Sequence, residues 1–129
     1  MLPPNDRAYL EGKGYAFDEV VEGGMLCVVV RSYPLPNGYQ PDVTDLLLRL
    51  PPGYPDVAPD MFWCNPPVKL ISTGTYPQAA DLMEQHLGRT WQRFSRHLAP
   101  GVWRSGTDHL DSYLSLIRRN LDQTAKGLT

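Results

Sequence analysis

A serine stands between two arginines and two residues ahead of a histidine in Trp91-Gln92-Arg93-Phe94-Ser95-Arg96-His97. A hydroxyl is hardly ionised near neutral pH and becomes a nucleophile only with a base beside it. An imidazole with its ordinary pKa near ~6.5 suits that task. If the segment is extended, Ser95 and His97 project from the same side. A serine near a histidine is a weak signal by itself, because chance pairs are common. The two thiols are the other nucleophile candidates. Cys27 sits in a run of Met, Leu and Val and reads as an apolar core residue. Cys64 ends a strand between Trp63 and Asn65, with no histidine near it in sequence, so packing outweighs catalysis there. The cysteines lie 37 positions apart with no CxxC and no Cys/His ligand spacing. A structural zinc site is therefore rejected, and neither a metal nor a cofactor is expected.

From Gln85 to Thr107 the chain carries Arg89, Arg93, Arg96 and Arg104, with His86 and His97 and no acidic residue. In a chain of formal net charge −2 this is a local reversal of sign. Three readings stand: a solvated basic edge, a groove for a carboxylate-bearing partner matched by arginine forks, or a nucleic-acid groove with Trp91, Phe94 and Trp103 as stacking platforms. The overall charge and a pI of about 5.8 speak against nucleic acid and against an anionic membrane. No apolar run approaches the ~20 residues of a membrane span. The segment Met1 to Arg7 lacks the basic flank and apolar stretch of a secretion signal. A reduced, cytoplasmic protein is the expectation.

These side chains need a scaffold, and 129 residues fit one domain, 1–129. The 13 prolines are about twice the usual ~5% share, which nearly excludes a helix bundle. Asn5 or Asp6 can cap a short helix, Arg7 to Glu11, which Gly12 and Gly14 stop. Tyr15–Val21, Met25–Val30, Thr44–Leu50 and Asp60–Cys64 read as strands, with Gly23-Gly24 as a hairpin turn. Pro34 to Pro41 is a loop that could contact a partner, and Pro51 to Pro59 is a rigid connection without ladder donors. Ala79 to Leu87 reads as a two-turn helix ended by Gly88. Ser105-Gly106-Thr107-Asp108 reads as a capping box. Leu110, Tyr113, Leu114, Ile117 and Leu121 then form one apolar face, with Arg118 and Arg119 in the closing turns complementing the helix dipole. The class is α+β: a four-stranded antiparallel meander with a short N-terminal helix and a C-terminal amphipathic helix packed on the sheet.

In that order, these features resemble the ubiquitin-conjugating enzyme (UBC) fold. The turn Tyr54-Pro55-Asp56-Val57-Ala58-Pro59-Asp60-Met61-Phe62 is similar to the family's Tyr-Pro-x-x-Pro-Pro-x-Val-x-Phe. The family then has a catalytic Cys, a Trp eight residues later and an apolar helix. Here Trp103 precedes the helix of Leu110, Leu114 and Ile117, and counting back eight residues lands on Ser95. The nearest match to the family's His-Pro-Asn motif is His86-Leu87-Gly88. The chain looks most like compact prokaryotic members, which accompany ubiquitin-like proteins, activating enzymes and JAB-type peptidases. The resemblance implies that Ser95 carries the C-terminal glycine of a ubiquitin-like protein as an oxyester, with His97 or His86 as base. Arg89, Arg93 or Arg96 would assist at the developing oxyanion, where one good donor is worth ~3 kcal/mol, and Trp91 and Trp103 would border the substrate. The motif's Asn is missing, so lysine transfer by the family's usual route is not implied. As the alternative, the missing Cys fits a catalytically inactive variant that scaffolds a ubiquitin-like protein or its activating enzyme.

Overall fold

The computed structural model describes residues 1–128. Proline sets the first boundary. Pro4 occupies the first position of α1 (Pro4–Gly12), where an amide would have no helical partner anyway. The expected Asn5 or Asp6 cap is not formed. Pro3 holds the cap position without a side-chain bond, and Asp6 turns inward within the first turn. There it becomes a node: the Tyr54 hydroxyl donates to its Oδ2 at 2.6 Å and the Leu110 amide to its Oδ1 at 3.3 Å.

The strands are β1 (Ala16–Glu22), β2 (Met25–Pro34), β3 (Tyr39–Gln40), β4 (Val43–Leu50), β5 (Phe62–Asn65), β6 (Lys69–Leu70), β7 (Leu82–His86) and β8 (Arg89–Phe94). Six of them form one antiparallel sheet in the order β1-β2-β4-β5-β8-β7, while β3 and β6 pair separately. The four-stranded meander is present as β1-β2-β4-β5, and the β7–β8 hairpin widens it. Gly23 and Gly24 make the first tight turn with φ of 61° and 77°, the left-handed region that a two-residue hairpin demands.

The helix expected over Ala79–Leu87 is instead β7 and its approach. Leu82, Met83, Glu84 and Gln85 favour helix by intrinsic propensity, but β8 offers a ladder from Leu82↔Arg93 to His86↔Arg89. Leu87 and Gly88, with φ of 55° and 70°, form the two-residue turn. Gly88 therefore closes a hairpin rather than a helix.

One face of the sheet buries Val28, Val30, Leu46, Leu48, Phe62 and Phe94 against α2 (Leu110–Ala125). The α2 stripe of Leu110, Tyr113, Leu114, Ile117 and Leu121 is buried as its spacing predicts. Each such side chain contributes roughly 1.5–3 kcal/mol, which a helix of this length needs to persist in water. Its cap lies later than expected: His109 and Ser112 make the capping box, while Ser105 bonds Asp56 of the proline turn. Because α2 runs on to Ala125, Arg118 and Arg119 fall in its middle, and no basic residue lies in its last turn. The opposite sheet face carries a second cluster of Cys27, Val29, Leu47, Trp63 and Trp91.

Candidate functional site

β8 delivers the central residues. Phe94 faces the α2 side and Trp91 the opposite cluster, with Arg89 and Arg93 on the same side as Trp91. The strand stops at Phe94. The Ser95 amide donates to Ala79 O at 3.0 Å, and the Arg96 amide donates back to Phe94 O at 2.9 Å, closing a three-residue turn around Ser95. This bend ends the alternation that would have aligned Ser95 with His97. The Ser95 hydroxyl oxygen accepts from Arg93 Nε at 3.2 Å. His97 Nδ1 lies 2.7 Å from Asp60 Oδ1, with both side chains more than half exposed, at 63% and 59%. Among the described residues no hydrogen bond joins Ser95 to His97.

Arg96 goes the other way. It lies over the Phe94 ring at 5.5 Å and donates to Asn120 Oδ1 of α2 at 2.9 Å and to Gln78 O at 2.8 Å. Burial lowers its guanidinium pKa, with the Tyr39 phenol opposing the shift. His97 and Arg96 border a cleft of about 210 Å³ whose walls include Phe62, Tyr113, Ile117 and Asn120. The cleft has an apolar floor and a basic rim, and Ser95 is not among its lining residues.

The other residues of the basic segment are joined on the outer sheet face. Glu84 accepts from Trp63 Nε1 at 2.9 Å and Arg93 Nη1 at 2.8 Å, with His86 Nε2 at 3.1 Å. Burial alone would raise the Glu84 pKa, but the bonds from His86, Trp63 and Arg93 prevail and hold it below its ordinary value. Glu22 receives the Leu87 amide and sits 3.9 Å from His86 Nδ1. Arg89 donates to Asp45 at 3.0 Å and to Asn65 at 2.8 Å while covering the Trp91 ring at 4.6 Å. Asp45 of β4 and Glu84 of β7 thus engage Arg89 and Arg93, while Glu22 of β1 lies beside His86.

Trp91 presents no open face, and Trp103 is partly buried. Trp91 is 0% exposed and donates to His86 O at 2.9 Å. Trp103 sits between Tyr54 and Tyr113, with ring centroids 6.4 and 6.2 Å away, and donates to Pro55 O. The burial of Trp91 and Phe94 gives the stacking-platform reading no support, while Trp103 packs between the two tyrosines and stays partly exposed. Cys64 is 0% exposed, and burial pushes its thiol up to about 12. Cys27 is buried in the outer cluster. A thiolate nucleophile is therefore absent near neutral pH at Cys64. Among the described residues no group of three His, Cys, Asp or Glu could hold a metal ion, and no helix is long and apolar enough to cross a membrane.

Sequence reasoning missed Gln92. It is 0% exposed, its Oε1 accepts from Val68 N at 2.7 Å, and its Nε2 donates to Val68 O at 3.0 Å and Ala80 O at 2.8 Å. It fastens the irregular stretch between β5 and β7 beneath the site, and no local pattern announces such a clamp. A larger groove of about 900 Å³ along α2 was missed as well. Its residues come from three separate stretches of chain, 9–15, 33–38 and 114–126, and only the Pro34–Pro41 loop hinted at it.

Comparison with family models matches residues 2–124 to prokaryotic E2 family E. Comparisons with curated proteins and with solved structures return no match. The matched span takes in α1, the whole sheet, the proline turn, the Ser95 bend and nearly all of α2. The UBC-like order of elements and the family match agree, and the chain belongs to prokaryotic E2 family E.

Proposed function

We propose that this UBC-like member of a bacterial conjugation pathway works as a non-covalent scaffold, holding a ubiquitin-like protein or its activating enzyme rather than carrying the modifier itself. The observation that carries the reading is the engagement of the serine. Its oxygen already accepts from Arg93, and Arg93 is tied in turn to Glu84. A hydroxyl nucleophile needs a base within hydrogen-bond reach, and among the described residues neither His97 nor His86 is hydrogen-bonded to Ser95. Cys64, the other nucleophile considered, is sealed in the core.

The test mixes the protein with activating enzyme, ATP and ubiquitin-like partner. Expected are a binding isotherm with the partner or the enzyme, no covalent adduct, and normal conjugation with the Ser95→Ala, His97→Ala double variant. An adduct that resists thiols, is cleaved by hydroxylamine and is lost in Ser95→Ala overturns the reading.

One observation favours the oxyester alternative. An imidazole that donates Nδ1–H to Asp60 keeps Nε2 free as a base, and it stands two residues from Ser95 beside the cleft. In that reaction the Ser95 oxygen, released from Arg93, attacks the activated carboxyl. The new C–O bond replaces the bond to the leaving group, and the hydroxyl proton passes to His97. The adduct assay decides between the two.

A further inference from the structure

The groove along α2 lies apart from Ser95. Its floor is Tyr33 and Leu114, one wall is Tyr9, Lys13 and Tyr15, and the other is the exposed face of α2. Its volume of about 900 Å³ falls at the upper end of ligand sites. Its charge opposes that of the whole chain. Lys13, Arg118, Arg119 and Lys126 line it against a single acid, Asp122, and Asp122 is already bonded to Lys126 at 2.9 Å. Arg118 donates one nitrogen to Pro34 O at 2.7 Å, which also fixes the loop at the groove's edge. Among the described residues Lys13, Arg118 and Arg119 have no carboxylate within salt-bridge distance. In a chain of net charge −2, three cations around one trough thus have no carboxylate partner among the described residues.

Two anion chemistries could use such a trough, and helix polarity separates them. Compact phosphate groups favour helix N-termini, where amides and the positive dipole end converge. This groove lies at the C-terminal end of α1, where Lys13 is the cap residue, and along the C-terminal half of α2. Both dipole ends there are negative, which disfavours a concentrated polyphosphate. The cations are also spread out: Arg118 and Lys126 are eight helical residues apart, about 12 Å along the axis. Carboxylates spaced along an extended chain match that distribution, and the partly exposed Tyr9 and Tyr15 offer apolar faces and hydroxyl donors. Burial raises the Tyr9 and Tyr33 phenols, so both keep their protons.

We infer that this groove binds an acidic, extended segment of a partner protein, with Lys13, Arg118 and Arg119 meeting its carboxylates and the wall of Tyr9 and Tyr15 receiving its backbone. The groove does not include Ser95, shares only Arg119 with the cleft beside His97, and would serve a scaffold and a carrier equally.

The test is fluorescence anisotropy with a short fluorescein-labelled peptide of Glu, Asp and Gly, without activating enzyme or ATP. The expected result is salt-sensitive binding that shifts the amide resonances of Gly38 and Ser115. Binding should weaken about tenfold or more in the Lys13→Glu, Arg119→Glu double variant, whose changes are both at exposed positions. Ser115→Trp, which fills the groove without altering charge, should weaken it too and decides the matter if the double variant misfolds. Equal binding by wild type and Ser115→Trp overturns the inference. So does equal binding of the matched Lys/Gly peptide, or displacement by ATP at far lower concentration than by unlabelled acidic peptide.

Discussion

Replacing Gln92 by Leu tests the claim that one side chain stands in for missing sheet structure beneath the site. Leucine has similar bulk, so cavity and strain effects are small. What disappears is a set of three hydrogen bonds, to Val68 N, Val68 O and Ala80 O, all in a region where Gln92, Val68 and Ala80 are each 0% exposed. A buried group left without its partner costs about 1–3 kcal/mol. The Val68 amide and Ala80 carbonyl alone thus amount to about 2–6 kcal/mol, which the extra apolar surface of Leu offsets in part. A net loss of about 3 kcal/mol corresponds to a melting point about 10 °C lower for a chain of this size. Urea titration followed by circular dichroism measures the loss, and amide exchange at Val68 locates it. Gln92→Glu is the sharper comparison: a carboxylate still accepts from Val68 N but cannot donate, and it is charged in the core. Its deficit should exceed that of the Leu variant at neutral pH and shrink as the side chain protonates. A Leu variant within about 0.5 kcal/mol of wild type would refute the clamp, because surface substitutions far from any such feature fall in that range.

The buried thiols should be inert: under native conditions neither Cys27 nor Cys64 reacts with a chromogenic disulfide, and both do after unfolding in urea. A native thiol reacting as fast as free cysteine contradicts their placement. Glu84 gives a pH signature. Its folded pKa is depressed, so its stabilising effect is present above the ordinary carboxylate range and is lost as pH falls through the folded value. Glu84→Gln should therefore be less stable at neutral pH and show a flatter decline into acid, read from urea midpoints. Parallel curves for the two proteins would remove Glu84 from the network.

The elements with strong periodicity were legible. Leu110 through Leu121 announced α2, and Gly23-Gly24 announced the first hairpin, because both signals are local. The β7–β8 hairpin was hidden because Leu82 to Gln85 prefer helix when isolated, and only a partner strand reverses that preference. The helix caps were misplaced because Asp6 and Ser105 resemble caps while serving as tertiary bonds to Tyr54 and Asp56. At the site, the types of residue were readable but their partners were not. Arg89 and Arg93 looked free because Asp45 and Glu84 lie 44 and 9 positions away. Whether Ser95 faces His97 depended on a turn closed by Arg96 N and Phe94 O, which side-chain chemistry does not encode.

Asp6 links the opening of the chain to its far end. Its two oxygens hold the Tyr54 phenol and the first amide of α2, 104 positions downstream in the latter case. Burial, followed by the Asp6 hydrogen bond and charge, raises the Tyr54 phenol so that it stays protonated and keeps donating. One carboxylate thus ties the proline turn and the start of the last helix to α1, so that losing it would loosen both attachments together.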